Sequence, residues 1–79
     1  MIKEGGWIHG GHILRSVREK KGLTQDEVCL MSNIDRRTYQ RWERKQSEPS
    51  FGQTMQICEC AFKVDLLDAV AIAVETPEQ

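Results

Sequence analysis

Between Arg36 and Lys45 the chain reads RRTYQRWERK, with four arginines, one lysine and a single glutamate in ten residues. On a helix, Arg36, Arg37, Gln40, Arg41 and Arg44 fall at i, i+1, i+4, i+5 and i+8 and share one face. Tyr39 and Trp42, three apart, share the opposite one. Guanidinium and carboxamide groups on long arms can donate hydrogen bonds to base edges in a major groove or to phosphate oxygens. A merely solvated basic face has the same composition, so this segment alone does not decide. The elements around it must.

Immediately upstream, Thr24-Gln25-Asp26-Glu27 is a capping box, with a hydroxyl at the N-cap and a glutamate three residues on. It opens a short helix to about Ser32 with Val28 and Cys29 inward; Cys29 is small enough for two helices to cross over it. Asn33 tolerates the left-handed conformation of a tight turn, Ile34 is an apolar plug and Asp35 caps the next helix. This succession reads as helix, turn, helix. Before it, residues 12–21 (HILRSVREKK) form a helix with Leu14 and Val17 inward and Arg15, Ser16, Glu19 and Lys20 outward. Gly22 ends it.

Residues 1–11 contain four glycines and no periodic pattern, which reads as a flexible N-terminal arm. Its Trp7 could pack on the domain or a second subunit, stack on a base, or lie disordered. His9 and His12 have no further ligand nearby in sequence and are taken as free. Downstream, Ser50 is the N-cap of a fourth helix whose inward face is Phe51, Met55, Cys58 and Phe62, widened by Ile57 and Ala61. Cys58 and Cys60 are two apart and point away from each other on a helix, so they cannot share a metal. Asp65 opens a fifth helix to about Glu75, with 76–79 a polar tail. Leu66, Val70, Ala73 and Val74 make one apolar face, and Leu67, Ala71 and Ile72 leave the others apolar too. Such a helix either closes the small core or meets a partner.

Seventy-nine residues support one compact core. No run of about 18 apolar residues suggests a membrane span, and the start of the chain lacks a signal-peptide pattern. Three cysteines do not make a disulfide framework, and a reducing cytoplasm fits them. The net charge of −1 conceals an asymmetry: residues 36–45 carry +4 and residues 46–79 carry −5. There is no nucleophile–base pair, no metal spacing and no phosphate-cradling glycine loop. Neither an enzyme nor a cofactor or metal requirement is expected.

The stretches GLTQDEV and NIDRRTYQRWERKQSEPS resemble the lambda-repressor-like (Cro-type, xenobiotic-response-element) helix-turn-helix family, over about Leu14 to Asp68. The resemblance implies an all-α, compact five-helix domain at 12–75 that binds double-stranded DNA as a transcriptional regulator. It also implies roles. Arg36, Arg37, Arg41 and Thr38 stand where base edges are read, and Gln25, Gln40, Arg44 and Lys45 where phosphates are contacted. Arg18 and Glu43 match a pair that bridges two helices. The terminal helix is commonly a dimer contact, which makes Leu66, Val70, Ile72, Ala73 and Val74 dimer candidates. Two departures stand out. Ser32 occupies a usually large apolar position while Leu30 and Met31 occupy polar ones; either the helix is rotated or Leu30 and Met31 form an exposed patch. After the fourth helix Lys63 replaces a glycine, and the chain runs one residue longer.

One short helix reads few base pairs, so a homodimer on an inverted repeat is expected, with two such helices about 34 Å apart. Occupancy of an operator would make it a repressor, and its small size fits a phage or other mobile element. The alternative is an antitoxin-like or adaptor protein that grips another protein through Leu30, Met31 and the fifth helix, with DNA binding secondary.

Overall fold

The computed structural model describes residues 8–77, and Trp7 and the last two residues of the tail lie outside that range. Among the described residues five α-helices follow one another: α1 (Gly10–Lys21), α2 (Gln25–Ser32), α3 (Arg36–Glu43), α4 (Phe51–Ile57) and α5 (Leu66–Glu75). A single π turn, Cys58–Phe62, prolongs α4. The fold is all-α, as expected.

The caps form where the side chains dictate. Thr24 and Glu27 close their box on both backbone N–H groups, and Asp35 accepts from Thr38 N. Ser50 forms a second box with Gln53. Gly22 and Asn33 both take the left-handed conformation, with φ of 73° and 56°. These caps fix α2 and α3 as two short helices around a three-residue turn.

The core unites Leu14 and Val17 of α1, Val28 and Cys29 of α2, Tyr39 and Trp42 of α3, Ile57, Cys58, Ala61 and Phe62, and Ala69 and Ala73 of α5. Tyr39 and Trp42 meet edge to face, with ring centroids 6.3 Å apart. Burying both rings is what turns the other side of α3 outward.

Several details differ from the sequence reading. The first helix starts at Gly10 rather than His12, with His9 as N-cap accepting from Gly11 N. Gly10 and Gly11 are both buried: a Cβ on Gly11 would lie 1.7 Å from the Trp42 carbonyl oxygen, and one on Gly10 would lie 2.7 Å from the Pro49 ring. Gly11 lets α1 touch the end of α3, and Gly10 lets it touch Pro49. Ser16, expected outward, is buried beside His12. His12 Nε2 lies 3.0 Å from the Ala73 carbonyl oxygen and 3.1 Å from that of Thr76. Both are acceptors, so this nitrogen carries the proton.

Phe51, expected inward, is 70 % exposed at the first position of α4, and Thr54 takes its place against the core. Cys58 is buried and Cys60 exposed. The extra residue before α5 coincides with the π turn, whose wider loop takes one residue more than an α turn. Lys63 closes that turn in the left-handed conformation (φ 59°) that a glycine would adopt more easily.

Candidate nucleic-acid interface

The outer face of α3 is built from side chains that the aromatic pair excludes from the core. Arg36, Arg37, Thr38 and Arg41 are exposed along it, with Arg44 and Lys45 at its C-terminal end. Among the described residues Arg37, Arg41 and Arg44 form no ion pair. Arg36 does: its Nε lies 3.0 Å from Asp26 Oδ1 on α2, but both side chains are more than 60 % exposed. Such a pair contributes little and is readily exchanged for another anion. Thr38 donates its hydroxyl to Asp35 across 3.4 Å. Arg44 is the C-cap of α3, and Lys45 follows with a left-handed backbone (φ 63°) that turns the chain away.

Behind this face lies a polar network centred on Glu43. The carboxylate is 7 % exposed and accepts Arg18 Nε on Oε2 at 2.7 Å and Arg18 Nη2 on Oε1 at 3.0 Å. Arg18 Nη1 also donates to the Leu23 carbonyl at 3.0 Å, so one guanidinium ties α1, the α1–α2 connection and α3 together. Burial works against the charged carboxylate, yet the donors from Arg18 and Gln25 outweigh it and hold its pKa below the ordinary value. Burial, with the Glu43 charge beside it, pushes the Tyr39 phenol far up, so it stays neutral.

Gln25 and Gln40 belong to the same network. Gln25 Nε2 donates to Glu43 Oε1 at 3.0 Å, and Gln25 Oε1 accepts from Gln40 Nε2 at 3.3 Å. Both ends of the Gln25 carboxamide are therefore engaged within the protein. Its second N–H is what the carboxamide has left for any further acceptor. The sequence reading missed this relay; the signal available was Gln25 opening α2 while Gln40 and Glu43 stand three apart on α3.

The dimer candidates divide. Ala73 is only 2 % exposed and packs in the core, because α5 lies along α1 and is clasped there by His12; it is not available to a partner. Leu66, Val70 and Ile72 are half-buried against the core, and Val74 is exposed. The apolar stripe left in solvent is Leu67, Ala71 and Val74, at i, i+4 and i+7, with Val70 along its edge. On α2, Leu30 and Met31 are exposed (84 % and 43 %) while Ser32 is buried, so the helix is not rotated. Among the described residues the buried Ser32 Oγ has no hydrogen-bond partner.

Among the described residues no helix is long and apolar enough to cross a membrane. A family model described as helix-turn-helix matches residues 14–68. No curated protein and no solved structure gives a match.

Proposed function

The chain belongs to the lambda repressor/Cro-like helix-turn-helix family of DNA-binding transcription regulators, and from that premise we propose a sequence-specific repressor that binds an inverted-repeat operator as a homodimer. The observation that carries the reading is the two-sidedness of α3. Its rings are buried while Arg37 and Arg41 stand exposed and, among the described residues, without carboxylate partners, available for guanine O6 and N7.

Arg36, Arg37 and Arg41, with Thr38, read base edges in the major groove. Arg44, Lys45 and the N-terminus of α2 at Gln25 hold phosphates and set the register. The Arg18–Glu43 bridge fixes the angle of α3 and touches no base. The acidic C-terminal third keeps the far side off the DNA. Two protomers meet through the exposed stripe of α5, which brings their α3 helices to successive turns of one duplex face.

Selection of bound sequences from random duplex DNA tests this. Two half-sites centred one turn apart, about 34 Å, are expected. The log K against log salt slope should be about −7 if each protomer neutralises about four phosphates. A single half-site, or a mixture without a motif, would contradict the dimeric reading.

The exposed Leu30 and Met31 favour a second reading, in which α2 grips another protein and DNA binding is secondary. A stable complex with an unrelated partner that is lost in Leu30→Ser, with DNA selection unaffected, would support it.

A further inference from the structure

We propose that the cavity between α1, the end of α3 and the end of α5 binds a small organic oxyanion, a phosphate monoester or a dicarboxylate, which competes with DNA for Arg44. The site stands on its own residues, and the competition rests on the DNA-binding reading above.

The cavity encloses about 220 Å³, and its wall includes His12, Ser16, Glu19, Glu43, Arg44 and Thr76. That volume lies below the range of drug-sized pockets and suits a compact metabolite. What selects the ligand is which polar groups of the wall are already spent. The acceptors are. Glu43 receives Arg18 on both oxygens and Gln25 on one of them. Glu19 accepts Arg15 Nε at 3.1 Å. The Thr76 carbonyl takes its share of the His12 Nε2 proton at 3.1 Å, and the Thr76 hydroxyl donates to the Ile72 carbonyl at 2.7 Å.

Two donors remain. Ser16 is 3 % exposed and lies one turn after His12 on the same face of α1. Its hydroxyl meets His12 Nε2 at 3.5 Å, and that nitrogen already gives its proton to two carbonyls. A second donor cannot serve as an acceptor, so among the described residues the Ser16 hydroxyl hydrogen has none. A buried donor left unmet is costly, and an acceptor entering the cavity relieves it. Arg44, the C-cap of α3, is exposed and forms no ion pair among the described residues. A wall with its acceptors occupied and a hydroxyl and a guanidinium still to be matched fits an anion with several oxygens, and disfavours a cation.

Arg44 is also proposed to hold a DNA phosphate. Ligand and duplex cannot both have the guanidinium, so each weakens the other by the same factor. An oxyanion in the cavity thus acts as an inducer without touching Arg37 or Arg41.

The test titrates the full chain with glycerol phosphate and, separately, with succinate, by calorimetry without DNA and at an ionic strength held constant with chloride. At least one should bind saturably, one per chain; which of the two binds tells a phosphate ester from a dicarboxylate. Ser16→Ala and Arg44→Met, each checked by thermal melt, should weaken that binding about tenfold or more. On a duplex carrying the selected motif, saturating probe should lower the DNA affinity of the wild type fivefold or more. It should also flatten the log–log salt slope by about two, one Arg44 from each protomer. Ser16→Ala should bind DNA as the wild type does without probe, and need about ten times more probe for the same loss. If neither probe binds, or Ser16→Ala binds it as tightly as the wild type, the site is overturned while the DNA-binding reading survives. Binding that leaves DNA affinity unchanged overturns the competition. If the probe binds with this dependence on Ser16 but the chain selects no motif, the DNA-binding reading fails and the site stands.

Discussion

Glu43 accepts two nitrogens of Arg18, Nε on Oε2 at 2.7 Å and Nη2 on Oε1 at 3.0 Å, across 25 residues of sequence. The pair joins the middle of α1 to the last turn of α3, and its acid partner is almost removed from water. Arg18→Met keeps the packing of the aliphatic stem but leaves a buried carboxylate without its counter-ion. A loss of about 3 kcal/mol is expected. In a domain this small that lowers the Tm by roughly 12 °C or more. The double variant Arg18→Met/Glu43→Met should recover much of the loss, which a thermal-melt cycle of the four proteins would measure.

The same pair gives stability a pH dependence. Burial penalises the ionised Glu43, but the Arg18 and Gln25 bonds prevail, so its folded pKa lies below the unfolded value of 4.5. Between those two values the unfolded chain binds more protons than the folded one, so stability falls as pH drops through that window. At neutral pH the contribution is fully present. Urea titrations from about pH 7 to about pH 3 should show this acid limb, and it should be flatter in Glu43→Gln.

Gly11 is a second place where α1 meets α3. An added Cβ would stand 1.7 Å from the Trp42 carbonyl oxygen, a backbone atom that cannot swing aside. Gly11→Ala should therefore force the helices apart, at about 2–4 kcal/mol of stability. It should also weaken DNA binding, because the end of α3 moves. Denaturant unfolding and a binding titration on one preparation would check both.

On α5 the exposed stripe and the core face make opposite predictions. Leu67 is 82 % exposed, so Leu67→Glu should leave the monomer fold intact while shifting sedimentation from dimer to monomer. Ala73, 2 % exposed, has no room for a carboxylate, and Ala73→Glu should unfold the domain. A Leu67→Glu protein that sediments as the wild type does would exclude this stripe from the interface.

The local fold was readable wherever one residue type decides one conformation. Thr24, Asp35 and Ser50 cap helices, Asn33 and Gly22 turn the chain, and the spacing of Tyr39 and Trp42 fixes the inner side of α3. What the sequence concealed depends on partners distant along the chain. Gly10 and Gly11 look like linker residues until Trp42 and Pro49 are set against them. His12 looks idle until the end of α5 supplies two carbonyls. Phe51 fits an inward helical period, but the cap at Ser50 and the π turn beyond Ile57 shift the buried face to Thr54, Ile57, Cys58, Ala61 and Phe62. Arg36, Arg37, Gln40, Arg41 and Arg44 of the candidate interface were legible by type and spacing, whereas Gln25, Thr38 and Lys45 entered only through the family resemblance. The hydrogen-bond relay that orients Gln25 and Gln40 was not legible, because it requires the crossing of α2 and α3 in space.

The proposed reader of DNA sequence is the outer side of α3. The most direct measurement of this is the motif selected from random duplex DNA by the wild type and by Arg37→Ala, with Lys45→Ala titrated over a range of salt. Arg37→Ala should lose a guanine from each half-site, at about 1–3 kcal/mol of discrimination. Lys45→Ala should weaken all sequences alike and flatten the salt slope by about one unit. A motif unchanged by Arg37→Ala would contradict the account.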